Sequence, residues 1–389
     1  MKFFSVKKIL SVALAATLTA GAFAVDFGGA LRNATKFKGK DFSNIKLDQV
    51  DDLNLWLKIP FSKDGKIYFI AEGLYEFEYD DSVSQVYNRL DLNLLKFSAS
   101  FKAKDATMNV SAGRFAFTDL TGLIFNQNAD GLAFSCDASA MSFSLYGAYT
   151  GLLNANLVKM LDNPNDISSF DKKAVYELAQ KYAVAAATFS LPRLAKRQSL
   201  SAQVLGTFKV DGKSFNRIYA SLAFGGPIYK TLYYSLSSTL EMQSFDGSSM
   251  DLSNLSAAKL TWFLPFKDLA LNLGGLYASG SAGPFEAFSG FTKLDAYNAL
   301  SEPQHTGLAK GSFSASMKPV KSVLLNAGCD VILDAATSSL KYKGFQYNLG
   351  ADWQIFSDLK AGLAFLQYFD DKNKDLNKVQ ISLNAAITF

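Results

Sequence analysis

Residues 377–389 read NKVQISLNAAITF, and apolar and polar residues alternate along them. Successive side chains of a strand point to opposite faces, so the segment predicts a strand with one apolar and one polar face. The alternation continues to an aromatic residue at the end of the sequence, which indicates a sheet that closes on itself with its apolar face against lipid. The two sets are Val379, Ile381, Leu383, Ala385, Ile387 and Phe389 against Gln380, Ser382, Asn384 and Thr388.

The first residues have the composition of a targeting segment. Three lysines precede an apolar stretch at 9–20, and Ala22 and Ala24 have the spacing of a small-x-small cleavage site. The stretch is shorter than the roughly 20 apolar residues that a spanning helix needs. We therefore predict a secretory signal peptide over residues 1–24 and a single domain over residues 25–389.

The remaining composition narrows the fold to two classes. After residue 24 no segment approaches the length of a spanning helix, although 49% of the chain is hydrophobic and 14% is aromatic. Such an exported chain is either a large secreted β protein or an outer-membrane barrel. Cys136 and Cys329 occupy apolar phases of predicted strands and are too few for a disulfide framework. The formal net charge of +4, without a Lys/Arg block, argues against nucleic acid as a partner.

From residue 25 onward the sequence divides into predicted strands of about 9 to 14 residues separated by turn signals. When the connections are counted back from Phe389, tight turns alternate with longer ones, and the two long connections, 151–182 and 280–306, fall on the same side. Short periplasmic turns and long external loops are typical of outer-membrane barrels. The predicted fold class is all-β: a transmembrane antiparallel up-and-down β-barrel of about 18 strands. Sixteen is the alternative count, because the strands predicted at 27–37 and 131–137 are weak.

Both long loops contain apolar residues at helical spacing. The first has Val175, Leu178 and Tyr182 after a serine that suits an N-cap, and the second has Phe288 and Phe291. We predict a short helix in each loop. Two roles stay open for these helices, because they can cap the rim of the barrel or fold inward and narrow the lumen.

The polar phase of the predicted strands indicates a water-filled interior. Eight cations and eight anions lie on this phase: the thirteen residues named at the end of this paragraph, together with Lys318, Glu78 and Asp268. This balance predicts weak ion selectivity, because selective filters use rings of one sign. The residues predicted to line the pore are Lys58, Glu72, Glu76, Arg89, Asp91, Lys209, Arg217, Glu241, Lys259, Lys310, Asp330, Asp352 and Lys360.

Residues that would carry chemistry are scarce. His305 is the single histidine and lies in a predicted external loop, so neither a Ser/His/Asp triad nor a zinc site can be assembled from strand residues. The acidic residues at 78–81 and 370–375 match no calcium-binding loop, and no phosphate-binding loop is present. The sequence therefore predicts a protein that is not an enzyme and has no metal or cofactor.

The signal segment, the strand count and the terminal strand resemble those of Gram-negative outer-membrane porins. The resemblance covers residues 25–389 and is architectural, without a motif that selects a subfamily. It implies the outer membrane of a diderm bacterium, contact with outer-membrane lipid, and recognition of the strand ending at Phe389 by the barrel-assembly machinery. A homotrimer is one assembly state that the resemblance implies.

The expected function is a passive diffusion channel for small hydrophilic solutes, because sixteen to eighteen strands leave an aqueous channel. Two alternatives stay open. One is a transporter for apolar ligands in which residues 27–51 form a hatch inside the barrel. The other is a surface adhesin or structural barrel that binds through the two long loops.

Overall fold

The computed structural model describes residues 25–158, 160, 173–195, 197–212, 215–245, 250–281, 285–292, 306–336 and 339–389. The predicted signal peptide, residues 1–24, and His305 lie outside these ranges. Among the described residues, no helix is both long and apolar enough to cross a membrane.

The described residues form eighteen strands and two short 3-10 turns, Phe266–Asp268 and Lys374–Leu376. The strands are β1 (Asp26–Gly39), β2 (Ile45–Pro60), β3 (Ile67–Asp80), β4 (Gln85–Ala103), β5 (Ala106–Thr118), β6 (Asn126–Ala138), β7 (Ser142–Tyr149), β8 (Tyr182–Leu191), β9 (Ser199–Lys209), β10 (Phe215–Tyr229), β11 (Leu232–Phe245), β12 (Asp251–Leu264), β13 (Leu269–Ala278), β14 (Leu308–Val320), β15 (Val323–Asp334), β16 (Lys341–Gln354), β17 (Leu359–Asp370) and β18 (Lys378–Thr388).

The sheet closes through its first and last strands. β1 pairs antiparallel with β2 on one side and with β18 on the other. Gly29 and Phe389 exchange two backbone hydrogen bonds, at 2.8 and 3.0 Å, where the closing strand ends. Every strand pairs with its neighbours in chain order, which confirms an up-and-down barrel of eighteen strands rather than sixteen.

The two faces of the wall differ in polarity as the sequence predicts. Leu349 and Trp353 on β16 are half-exposed on the outer face, and Asn348 and Asp352 alternate with them on the lumen face. Cys136 and Cys329 are free thiols. An apolar outer surface around a polar lumen is the arrangement that a lipid bilayer requires of a barrel.

The connections at the two ends differ in length. At the end where β1 begins and β18 finishes, they range from two residues, at 104–105 and 321–322, to the seven residues 192–198. At the other end lie the long connections 150–181 and 279–307. Several strands run further than the sequence predicts: β14 continues through the turn predicted at Lys318 and Pro319, and β6 begins at Asn126 rather than at 131.

Two of three expectations about local structure are corrected, and the predicted loop helices are not confirmed. The long-loop residues that the structure describes, including 173–181 and 285–292, contain no helix, and the rest of both predicted helices lies outside the described ranges. Residues 27–51, the candidate hatch, lie in β1 and the first part of β2, so they belong to the barrel wall. Asp268 lies exposed in the turn between β12 and β13 rather than in a strand facing the lumen.

Candidate functional site

The end of the β5–β6 hairpin leaves the wall and enters the lumen. β4 and β5 pair only as far as Leu95 and Arg114, although β5 continues to Thr118 against β6. At the point of departure Gly113 has a φ of 115°, which favours glycine, and a Cβ there would lie 1.9 Å from the carbonyl oxygen of Leu95. The connecting residues 119–125 then contact Gln203 on β9 and the loop residue Thr292.

Gly113→Ala is therefore expected to destabilise the barrel by at least about 2 kcal/mol, because the strained φ and the collision with β4 act together. Gly147→Ala is the matched control, since Gly147 lies in nearby β7 with no atom within 4 Å of its added Cβ. Denaturant unfolding of both refolded variants measures the difference. Equal midpoints for the two variants would contradict this account of the bend.

Asp119 organises the tip of the hairpin. Its carboxylate accepts backbone N–H groups of Thr121 at 2.7 Å, Gly122 at 3.1 Å, Ile124 at 2.9 Å and Phe125 at 2.8 Å. The Gly122 N–H also donates to the Asp119 carbonyl oxygen, but the other three donors would be left without this acceptor inside the barrel, at about 1–3 kcal/mol for each buried group. The tip is thus a defined turn with its own hydrogen bonds.

The tip is held across the lumen by two partners. The backbone N–H of Leu120 donates to Oε1 of Gln203 on β9 at 2.8 Å. The backbone N–H of Thr292 donates to the carbonyl oxygen of Ile124 at 2.8 Å, and its Oγ1 accepts from the N–H of Asn126 at 3.2 Å. The hairpin and the loop segment 285–292 therefore form one inner layer, which we call the constriction (residues 119–125 and 285–292).

Segment 285–292 is bound to the inner face of β10 and β11. Arg217 donates to the carbonyl oxygen of Gly290 at 3.3 Å, and the Tyr219 hydroxyl donates to that of Ser289 at 2.9 Å. Glu241 accepts the Ser289 N–H at 2.9 Å and its hydroxyl at 3.1 Å. Arg217, Tyr219 and Glu241 are all fully buried beneath the segment.

Apolar packing joins the constriction to the wall. Phe291 packs against Phe125 of the tip, with ring centroids 5.5 Å apart, and against Tyr182 of β8 at 4.9 Å. Phe288 packs edge-on against Tyr219 at 6.2 Å, and Phe288 and Phe291 are both fully buried. Burying such rings stabilises a segment by about 1.5–3 kcal/mol each, so the constriction is part of the folded core.

The β7–β8 connection lies beside the gap that β5 leaves. The backbone N–H of Leu90 on β4 donates to the carbonyl oxygen of Val175 at 3.1 Å, and the Asn154 amide donates to Leu90 and Val175. Met160 of the same connection pairs with Thr292 in the constriction. The described parts of both long loops thus reach the constriction.

Arg114 ties this connection to the wall. Its guanidinium donates to Asp130 at 2.9 and 2.8 Å, to Asp91 at 3.2 Å and to the carbonyl oxygen of Leu152 at 2.7 Å. The side chain is buried, and its charge is matched by two carboxylates. Arg114 was absent from the predicted pore-lining set, because its apparent phase in β5 points outward until the bend at Gly113 is taken into account.

Cavities lie along the inner face of the described strands, and the first of those below is also lined by Leu120, Thr121 and Leu123 of the constriction. One of about 630 Å³ lies against β9–β16 and is lined by serines, asparagines, Lys259, Lys310 and Asp330. A second, of about 720 Å³, contacts Arg32, Asp52, Lys318, Asp352 and Lys360. A third, of about 410 Å³, lies against β2–β5 beside Phe115.

The structure separates the predicted pore-lining residues into groups. Arg89 forms ion pairs with Glu76 and Glu78, and Lys310 lies 3.7 Å from Asp330. Arg217 and Glu241 are covered by segment 285–292. Another group contacts the cavities and comprises Lys58, Lys259, Lys310, Asp330, Asp352 and Lys360. Asp91 accepts a hydrogen bond from Arg114, and Glu72 accepts one from Asn93. Lys209 is the last residue of β9 and pairs with Tyr182 of β8.

The acidic clusters at 78–81 and 370–375 were considered above as possible calcium ligands. In the ranges the structure describes, no group of three His, Cys, Asp or Glu residues could hold a metal ion. The loop acids considered for calcium instead bond locally, as when Asp370 accepts backbone N–H groups of Lys372 and Asn373.

No protein-family model matches the sequence, and no curated protein matches it. Solved structures do match. OpdQ of Pseudomonas aeruginosa superposes with a TM-score of 0.63 at 14% identity, over 94% of this chain and 98% of OpdQ. OpdK of the same organism, solved with vanillate, gives 0.61 at 12% over 94% and 98%, and OccK2 (OpdF) in complex with glucuronate gives 0.60 at 11% over 94% and 98%. The chain has the fold of an outer-membrane porin.

Proposed function

We propose that this chain is an outer-membrane porin that acts as a passive diffusion channel for small hydrophilic solutes. The observation that carries the proposal is a closed barrel with a cavity of about 630 Å³ that is lined by polar strand residues and by the inward-folded residues 120, 121 and 123. Vanillate and glucuronate, the molecules bound to the similar OpdK and OccK2, belong to the same size class of solute. Residues 119–125 and 285–292 set the width of the path.

Weak ion selectivity is part of the proposal. Arg89, Arg114 and Lys310 are each matched by carboxylates, so they contribute little net field to the lumen. A strongly selective pore instead presents a ring of one sign to the passing ion. The mixture of signs around both larger cavities favours modest discrimination between small ions.

The cellular setting follows from the same fold. We propose export through residues 1–24, insertion into the outer membrane of a diderm bacterium, and recognition of the strand ending at Phe389 by the barrel-assembly machinery. A homotrimer is the assembly to test first, by sizing the detergent-folded protein.

Planar-bilayer recording of the refolded domain, residues 25–389, tests the channel. We expect unitary current steps, with a reversal potential in a salt gradient that lies well below the Nernst limit for either ion. Circular dichroism of the same sample controls for folding. A folded barrel that gives no unitary steps would exclude the proposed function.

A further inference from the structure

The cavity of about 410 Å³ combines an apolar lining with two ammonium groups. It lies inside β2–β5, next to Phe115 at the base of the inward-bent hairpin. Its lining residues are Lys58, Tyr68, Ile70, Leu94, Lys96, Phe115 and Ala116, with no carboxylate among them. This composition differs from the mixed charges and hydroxyl groups of the two larger cavities.

The register brings the two lysines to one level of the barrel. Lys58 on β2 pairs with Ile70 on β3, and Ile70 pairs with Lys96 on β4. Neighbouring strands lie about 4.8 Å apart, so the two Cα atoms are about 10 Å apart with both side chains facing the lumen. Two flexible lysine side chains at this separation can reach the same ligand group.

Neither ammonium has an ion-pair partner in the described part of the chain. Asp26 on β1 pairs with Lys58 in the strand register but forms no ion pair with it. Glu72, two residues after Ile70 on β3, accepts a hydrogen bond from the Asn93 amide at 2.7 Å. Each lysine instead lies over an aromatic ring, Lys58 over Tyr68 and Lys96 over Phe115, each at 4.9 Å.

Lys58 and Lys96 repel each other, because they are like charges at the same height of the barrel without carboxylate partners. Other lumen cations differ from them, since Arg89, Arg114 and Lys310 are each paired with a carboxylate. The cation–π contacts hold the two ammoniums at the cavity without neutralising them. An anion in the cavity would relieve the repulsion. The apolar lining would pack against the uncharged part of the same molecule.

We propose that Lys58 and Lys96 form a subsite for a small dianion with an apolar body, of the phosphate monoester class. The proposal rests on the channel function, since the subsite lies on the solute path. A phosphate monoester carries nearly two negative charges at neutral pH, which match two ammoniums, while a monocarboxylate can satisfy only one. Tyr68 and Phe115 supply flat surfaces for an aromatic or aliphatic body.

Isothermal titration calorimetry on the detergent-folded domain tests the subsite with phenyl phosphate, benzoate and benzyl alcohol. At pH 8 we expect phenyl phosphate to bind about fivefold more tightly than benzoate, which is the value of one additional ion pair of about 1 kcal/mol. At pH 5 the phosphate loses its second charge, because that group titrates near pH 6, so the preference should disappear. Equal binding of the two anions at pH 8 would overturn the proposal.

Substitutions assign the effect to the two side chains. Lys58→Gln and Lys96→Gln should each weaken phenyl phosphate binding about threefold to fivefold, and the double variant should abolish the preference over benzoate. Lys102→Gln on the same strand, outside the cavity, is the control and should bind as the wild type does. Unchanged binding in the double variant would also refute the subsite. Because calorimetry does not require conduction, a barrel that binds but does not conduct would refute the channel alone.

Discussion

Replacing residues 119–125 with a two-residue Asn-Gly turn is expected to raise single-channel conductance severalfold. Thr118 and Asn126 already face each other as a strand pair, so a tight turn can join them without changing the wall. The change removes the contacts of Leu120 with Gln203 and of Ile124 with Thr292, and with them the hairpin's part of the constriction. Planar-bilayer recording at one salt concentration gives the comparison with the wild type.

The external connection 371–377 provides a control of equal length. It also spans seven residues between paired strands, β17 and β18, and its ion pair joins Lys40 and Asp375 at the exposed surface. The same two-residue replacement there should leave conductance unchanged. If both variants conduct as the wild type does, the hairpin tip does not limit the flow of ions.

The sequence predicts the barrel well because its signal is local. Each strand has lipid on its outer face and water on its inner face, so its apolar and polar residues alternate. The outward and inward faces can therefore be predicted from each strand's own sequence. The terminal segment shows this directly, since Val379 to Phe389 alternate as predicted and the strand ends on Gly29 of β1. Strand ends were predicted less accurately: the polar run 126–130 looks like a loop, yet it pairs fully with β5.

The lumen was harder to predict because phase can change within a strand. Asp91 and Lys96 both face the lumen although one position is odd and the other even. The register shifts between Glu72 and Gly73 of β3, which leaves one extra residue on β4 and reverses its phase. The sequence does place charged residues on both phases of β4, which indicates such a change of phase. Taking it into account would have added Lys96 to the residues predicted to line the pore.

The constriction depends on contacts between segments that are distant in sequence. Phe288 and Phe291 have helical spacing, but an extended segment buries both rings, one against Tyr219 and the other between Phe125 and Tyr182. The spacing of Phe288 and Phe291 indicates only that both side chains are buried. It therefore could not distinguish a helix at the rim from an extended segment that folds inward. Arg217 and Glu241 were predicted to face water, and they are instead covered by this segment.

Glu241→Ala is expected to lower the free energy of unfolding by about 2–5 kcal/mol, because it leaves buried hydrogen-bond donors without their acceptor at about 1–3 kcal/mol each. The change removes the acceptor of the Ser289 N–H and of the Ser253 hydroxyl, and it also removes the electrostatic attraction between Glu241 and Arg217. Segment 285–292 should then detach from β10 and β11. Denaturant unfolding measures the loss, and noisier unitary currents would report the detached segment.

Glu241→Gln separates the charge from the hydrogen bonds. An amide oxygen can still accept the Ser289 N–H, so this variant should keep the segment docked and the currents quiet, and it should lose less stability than Glu241→Ala does. Asp352→Asn is the control, because this carboxylate lines an open cavity and makes no ion pair with a described residue. Combining Glu241→Gln with Arg217→Met measures the coupling between the two buried side chains, and we expect the two losses of stability not to add. Strictly additive losses would rule out a coupled pair.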